Sequence, residues 1–269
     1  MKFSILIAHY NNWNYFQECY QSIQNQTYQD YEIIIVDDSS TDNSFQNLKE
    51  LASKDSKIKL FQNSVNKKVG FTKRRCVEVA SGDICLFVDP DDKIVSDALE
   101  VIYNTYKTNH AIIATYSKIQ LIDNKSKELG DFKFSKKIKN NNSYFFNINF
   151  EIAHLFSFKK SYYSKTVGIN ETLTSAVDQD LYMKLYEKGE FYFINNFQYL
   201  YRLHDKGVSQ DKSKKNILSS NWNTVLLETC KRRGITKLYG KEINQIENLS
   251  KFIFKKENTI IKKLLRKFI

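Results

Sequence analysis

Four short runs dominated by apolar residues punctuate the first 92 residues: Phe3–Ala8, Glu32–Val36, Ile58–Gln62 and Ile84–Val88. Their length and their Ile, Val and Phe content predict buried strands. The stretches between them carry helical spacing instead. Residues 14–26 place Tyr15, Phe16, Cys19, Tyr20 and Ile23 on one side, and further helices are predicted over Asn43–Ser53 and Phe71–Ala80. Strand–helix alternation leaves few solutions, and the expected one is a mostly parallel α/β sheet flanked by helices. Ligands bind such sheets outside the carboxyl ends of the strands. In this chain each of those ends is polar or acidic.

The fourth run ends in Asp89-Pro90-Asp91-Asp92, where Pro90 is the single proline of 269 residues. Proline fixes its own φ and biases the preceding residue toward extended geometry. Carboxylates this close repel unless a cation or a proton lies between them. Oxygen ligands beside a phosphate suit Mg²⁺ or Mn²⁺. A plain Asp/Pro turn is the competing explanation. The second run ends in Asp37-Asp38-Ser39-Ser40-Thr41-Asp42. Capping the next helix needs one or two of these, which leaves Asp37 and Asp38 spare. Lys73, Arg74 and Arg75 are consecutive and cannot share a helix face, so at least one should turn toward the acidic edge. Ser81-Gly82 reads as the stop of that helix. The G-x-G-x-x-G and P-loop patterns are absent, so no glycine-rich loop grips a nucleotide here.

Farther on, a helix is expected over Ser96–Tyr106 and an extended segment over Ala111–Ile122. Residues 123–149 are polar and Asn/Lys-rich, and read as a mobile excursion over the site. A strand over Phe150–Phe158, an irregular stretch over Thr166–Val177 and a helix over Asp178–Lys188 follow. Two short strands, Phe191–Ile194 and Gln198–Leu203, lead to His204, and residues 213–232 read as a helix. Cys19, Cys76, Cys85 and Cys230 show no paired spacing and are expected as buried free thiols of a reducing compartment. No run of eighteen apolar residues and no signal-peptide pattern is present.

The ordered motifs resemble the family 2 glycosyltransferases with the GT-A fold, which build bacterial surface polysaccharides. Those motifs are Ser4-Ile5-Leu6-Ile7 with Tyr10-Asn11, Glu32 to Asp42, Ala80-Ser81-Gly82-Asp83, Phe87 to Asp92, Val177-Asp178-Gln179-Asp180-Leu181 and Tyr201-Arg202-Leu203-His204. The resemblance covers residues 3–210 and implies a metal-dependent, inverting transfer from a UDP-sugar. It places Ala8, Tyr10, Asp37, Asp38, Lys73 and Asp89 around the UDP-sugar. It places Asp91, Asp92 and His204 around a divalent metal, Mn²⁺ or Mg²⁺, that would stabilise charge on the leaving UDP. Asp178 becomes the general base, with Asp180 competing for that role. The chain departs from the family pattern in four places. His9 follows Ala8 where relatives have a Pro-Thr type pair, Ser39 replaces a glycine, Lys73 an arginine, and Val177 the first acid of a Glu-Asp pair.

The net charge of +11 is uneven: residues 251–269 hold +6 of it. Nucleic-acid binding, which wants a basic stripe on the folded body, is therefore not expected. Ile253, Ile260, Ile261, Leu264, Leu265 and Phe268 fall at helical spacing, with lysines and Arg266 opposite. That pattern suits a basic helix lying on a membrane surface, or a helix docked on the body. The expected protein has a GT-A domain over 1–210 and a helical extension over 211–269. It would act at the cytoplasmic membrane face on a glycan or lipid-linked glycan acceptor. A nucleotidyltransferase and a non-catalytic scaffold of the same fold are the alternatives.

Overall fold

The computed structural model describes residues 1–205 and 215–259. In chain order it contains β1 (Phe3–His9), α1 (Trp13–Gln24), β2 (Tyr31–Asp37), α2 (Ser44–Lys54), β3 (Ile58–Gln62), α3 (Lys68–Val79) and β4 (Ile84–Phe87). Next come β5 (Lys93–Ile94), α4 (Ala98–Thr108), β6 (Ile112–Ile122), β7 (Glu128–Asp131), β8 (Ser157–Lys159) and the single turn α5 (Lys160–Tyr163). Then follow α6 (Val177–Tyr186), β9 (Glu190–Arg202), α7 (Lys215–Arg232), the hairpin β10 (Lys237–Leu238) and β11 (Lys241–Glu242), and α8 (Leu249–Glu257).

One sheet runs β3-β2-β1-β4-β8-β6-β9-β5, with β7 added on β6. β3, β2, β1 and β4 are mutually parallel, as the strand–helix alternation predicts. β8 is antiparallel to both β4 and β6, and β6 pairs parallel with β9. The carboxyl ends of β1, β2, β4 and β6 therefore point one way, to the edge where the acidic residues cluster. The core lies on both sheet faces: Ile5, Ile33, Ile35 and Leu86 meet α1, α2 and α4 on one side, and Leu6, Ile34, Cys85 and Phe87 meet α3 and α6 on the other. All four cysteines are buried and unpaired.

The opposite, amino edge is locked by Glu32. Its buried carboxylate accepts from Ser4 Oγ at 2.6 Å, Ser81 N at 2.6 Å and Ser81 Oγ at 2.8 Å, and pairs with Lys59 at 2.6 Å. One side chain thereby ties β1, β2, β3 and the α3–β4 turn. Burial works against the ionised form, but these donors outweigh it and hold the Glu32 carboxyl well below the usual range.

Several sequence expectations change. Gly82 is not a left-handed helix cap, since α3 ends at Val79 and Ala80 is extended. Gly82 is required by close approach, because a Cβ there would lie 2.7 Å from Ser4 N. α3 starts three residues earlier than the pattern suggested, taking in Gly70, whose missing Cβ admits Leu173 O and Asn170 O. The 123–149 excursion is anchored rather than loose. β7 pairs with β6, Phe146 and Ile148 enter a core cluster with α7 and α8, and Arg233 donates to Ser143 O and Phe145 O. The expected 150–158 strand shrinks to Ser157–Lys159, and the two strands before His204 are one bent strand, β9. In the tail, Leu249 and Ile253 are buried against Leu226 and Cys230, so residues 249–257 dock on α7 and Ile253 faces no membrane. The remaining tail positions, 260–269, and the domain boundary at 210 lie outside the described residues. Among the described residues no helix is long and apolar enough to cross a membrane.

Candidate active site

β4 delivers Asp89, Pro90, Asp91 and Asp92 to the carboxyl edge. The four close a turn, with Asp92 N bonded to Asp89 O at 3.0 Å and proline at the second position, where its fixed φ fits. β9 braces this turn from the side. Tyr199 Oη accepts from Asp89 N and donates to Asp92 Oδ2 at 2.7 Å, while Arg202 N donates to Asp92 Oδ1 at 2.7 Å. Arg202 Nε holds Asp91 O at 2.7 Å, and its far end pairs with Glu18 at 3.0 Å while the guanidinium lies over Tyr15. Asp92 is fully buried with both oxygens taken, so the expectation that it binds metal is corrected: it is a brace. Burial, then the charges of Asp91 and Asp89, push its carboxyl well above the usual range.

Asp91 and His204 do converge. His204 Nε2 lies 2.8 Å from Asp91 Oδ2, and the imidazole packs on Tyr15 with ring centres 4.8 Å apart. A mixed carboxylate–imidazole pair, with Asp91 partly open to solvent, is a fitting donor set for a divalent cation such as Mn²⁺.

Asp89 turns the other way. Lys73 Nζ sits 2.9 Å from Asp89 Oδ1 and 2.9 Å from Asp178 Oδ1. Of the three consecutive cations it is therefore Lys73 that reaches the acidic edge. Arg74 pairs with Glu78, and Arg75 holds Gln62 O and Asn63 Oδ1. Lys73 bridges two acids inside the protein instead of standing free for the donor phosphates. Burial disfavours both its charge and that of Asp178, yet the mutual attraction prevails. The ammonium is pushed up, and Lys73 with His154 holds the Asp178 carboxyl well below the usual range. Asp178 keeps 30% of its side chain exposed to solvent. Asp180, its competitor, has no exposure. It pairs with Lys184 at 2.7 Å and accepts from Asn170 N, which fixes the loop ahead of α6.

His154 went unnoticed in the sequence. Its Nε2 lies 3.7 Å from Asp89 Oδ2 and 3.8 Å from Asp178 Oδ2, and its ring stacks on Tyr199. Among the described residues, Asp89, His154 and Asp178 form the one group of three potential ligand side chains within mutual reach. The available signal was scarcity: the chain has 4 histidines, and this one stands inside an apolar run.

The expected nucleotide pocket is built differently from its reading. Tyr10 is exposed and Ala8 half-buried. Asp37 and Asp38 are buried and already bonded. Asp37 accepts from Ser40 N, Ser40 Oγ and Gln62 Nε2 and faces His9 Nδ1. Asp38 accepts from Lys67 N, Lys68 N and Asn63 Nδ2, so it caps α3. α2 is capped by Asp42 instead, through Ser44 N. The glycine replaced by Ser39 was a conformational requirement, since Ser39 has φ of +60°.

One sheet packed by helices on both faces thus carries paired carboxylates and a carboxylate–imidazole pair at its carboxyl edge. The family model "Glycosyl transferase family 2" matches residues 4–167, and the chain belongs to that family. It is 28% identical over 254 residues to Escherichia coli chondroitin synthase, covering 94% of this chain and 36% of that protein. It is 28% identical to Pasteurella multocida hyaluronan synthase, again over 94% of this chain but 25% of the relative. The chain thus spans about a third or less of these two relatives. A Campylobacter jejuni GalNAc(5)-diNAcBac-PP-undecaprenol beta-1,3-glucosyltransferase is 29% identical over 75% of this chain and 65% of its own length. Among solved structures, S. aureus TarS 1-349 in complex with UDP-GlcNAc superposes with a TM-score of 0.66 at 18% identity, covering 98% of this chain and 78% of that one. That likeness establishes the GT-A fold.

Proposed function

We propose that this chain transfers a hexose or N-acetylhexosamine from a UDP-sugar to a growing surface glycan, with inversion at the anomeric carbon. The observation that carries the reading is the Asp178 carboxylate. It stays ionised through its bond to Lys73, is open to solvent, and lies beside the acids at the end of β4. In that role Asp178 takes the proton of the acceptor hydroxyl as its oxygen attacks the anomeric carbon, help typically worth ~10²–10⁴-fold. UDP leaves with the bonding electron pair. Ala8, Tyr10 and Asp89 would contact the donor, and Asp37 and Asp38 shape its pocket from beneath. Asp91 and His204 would hold a divalent cation, Mn²⁺ or Mg²⁺, whose contribution is to neutralise charge growing on the diphosphate. The named ligands of TarS and the named products of the chondroitin and hyaluronan synthases support donor and glycan classes of this kind.

The test is calorimetric titration of UDP, GDP and CDP with and without Mn²⁺, beside Asp91→Ala. UDP binding that requires both metal and Asp91 is expected. Binding of none of the three would leave a GT-A scaffold without donor chemistry. We further propose that residues 260–269, with Lys251, Lys255 and Lys256 on the exposed side of α8, hold the chain at the inner membrane surface near a lipid-linked acceptor. Basic residues contribute ~1 kcal/mol each against anionic lipid. Deleting 260–269, which spares the docked part of α8, should move the protein into the soluble fraction; unchanged partitioning would remove this element.

A further inference from the structure

The triangle formed by Asp89, Asp178 and His154 is too open for direct hydrogen bonds and too regular to ignore. His154 Nε2 stands 3.7 and 3.8 Å from the Oδ2 atoms of the two acids, and the three groups offer ligand atoms within 4.8 Å of one another. An oxygen resting over the centre of such a triangle reaches its corners at about 2.5–2.9 Å, ordinary hydrogen-bond range. The Oδ1 atoms of both acids are occupied by Lys73 on the far side, which fixes the Oδ2 atoms toward His154. His154 Nδ1 is buried with no partner, so the ring proton is assigned to Nε2, the nitrogen facing the carboxylates. The ring itself is held by stacking on Tyr199, 4.8 Å centre to centre and 17° from parallel.

We propose that this triangle is the seat of the attacking hydroxyl, with His154 as its orienting donor. The inference rests on the reading of Asp178 as the base. A hydroxyl has one hydrogen to give and lone pairs that accept. It donates to Asp178 Oδ2 and accepts from His154 Nε2–H, which leaves a second lone pair free for the anomeric carbon. The new C–O bond forms from that pair, the bond to the UDP oxygen breaks with its electrons leaving on UDP, and the hydroxyl proton ends on Asp178. Asp89 Oδ2 closes the third side. A metal ion competes poorly for the seat, because Lys73 already supplies one positive charge to the two acids at 2.9 Å.

Water can occupy the same seat, so hydrolysis of a UDP-sugar reads the inference without a known acceptor. The donor is chosen from UDP-glucose, UDP-galactose, UDP-GlcNAc and UDP-GalNAc by the fastest UDP release from the wild type with Mn²⁺. His154→Phe keeps a ring on Tyr199 and removes the donor; His154→Gln restores an N–H. The expected result is a fall in UDP release of ~10²-fold or more for Phe. Gln should recover at least part of it, and UDP affinity should stay within about twofold in both, since His154 is not among the residues placed on the donor. Release by His154→Phe within threefold of wild type overturns the inference alone, and so does a Gln variant no faster than Phe. Mn²⁺ binding that survives Asp91→Ala but disappears in His154→Phe would mean the triangle holds a cation, and also overturns it. A wild type that binds UDP but releases none from any of the four donors defeats the base reading, and this inference with it.

Discussion

Replacing Lys73 by methionine should turn a flat acid side of the activity profile into a titrating one. In the wild type the ammonium lies 2.9 Å from one oxygen of Asp89 and one of Asp178. Those two oxygens cannot be more than about 6 Å apart, and without the cation they face each other directly. At an effective dielectric of about 20, unit charges about 5 Å apart repel by roughly 3 kcal/mol. That corresponds to about two pKa units, before any contribution from burial. The sign is fixed by the starting point. Wild-type Asp178 is held well below the usual carboxylate range, so as base it is fully ionised from neutral pH down through the mildly acidic range. In Lys73→Met the two acids face each other without the cation, so the first proton is taken up at a higher pH than in the wild type and the ionised fraction of the base falls on the acid side.

The assay is UDP release from the best of the four donors above, measured from pH 5 to 9, with Lys73→Arg as the charge-keeping control. The methionine variant should be about tenfold more impaired at pH 5 than at pH 8, relative to wild type at each pH, because ionisation restores the base. Lys73→Arg should keep the wild-type profile shape. Removing one partner from a buried charged cluster also destabilises by ~3–5 kcal/mol, so rates are taken below the variant's unfolding temperature. A Lys73→Met profile parallel to wild type across the whole range would refute the claim that this lysine keeps Asp178 ionised.

Glu32→Gln should lower stability by ~2–4 kcal/mol, since four of its bonding partners lose a charged acceptor. The folded-state carboxyl lies below its unfolded value, so this stabilisation is present above about pH 4.3 and is lost as pH falls below it; the melting-temperature gap to wild type should close on acidification, and a widening gap contradicts the reading. Gly70→Ala puts a Cβ 2.5 Å from Leu173 O and should cost ~1–3 kcal/mol in chemical denaturation. Asp92→Asn keeps an acceptor for Arg202 N but weakens the Tyr199 bond; calorimetry should show ~10–100-fold weaker Mn²⁺ binding if the brace orients Asp91, and unchanged affinity if it does not.

The parallel half of the fold was legible because its signals are local. Apolar runs, turn residues and helix periodicity for β1 to β4 lie within windows of ten residues, and β3 matches its expected span residue for residue. The later half was less so. Residues 123–149 look polar, yet Phe146 and Ile148 need only two positions to anchor the segment under α7 and α8. Composition averages such anchors away. β9 carries Asn195-Asn196 in its middle, which reads as a turn, but its register shifts against β6 let the strand continue through a bend. His154 was invisible because nothing local to it is chemical. Its partners come from β4 and α6, brought together only by the sheet.

The acids of the site divide by exposure in a way no spacing rule could supply. Asp89, Asp91 and Asp178 keep 25–30% of their side-chain surface open. Asp37, Asp38, Asp92 and Asp180 keep 4% or less. The buried four are each met by backbone amides: Ser40 for Asp37, Lys67 and Lys68 for Asp38, Arg202 for Asp92 and Asn170 for Asp180. A carboxyl group out of water requires such donors, and meeting them takes up lone pairs a ligand would use. The open three have oxygens to spare and are met by side chains that can yield: Lys73, His154 and His204. In sequence, Asp91 and Asp92 are neighbours of identical chemistry. The turn at Pro90 sends one toward His204 and the other into the protein under Tyr199. The buried acids hold the geometry of loops and turns in which the open acids stand, so their substitution should disturb stability and metal or donor affinity together. Substitution of the open acids should spare the fold and remove the chemistry.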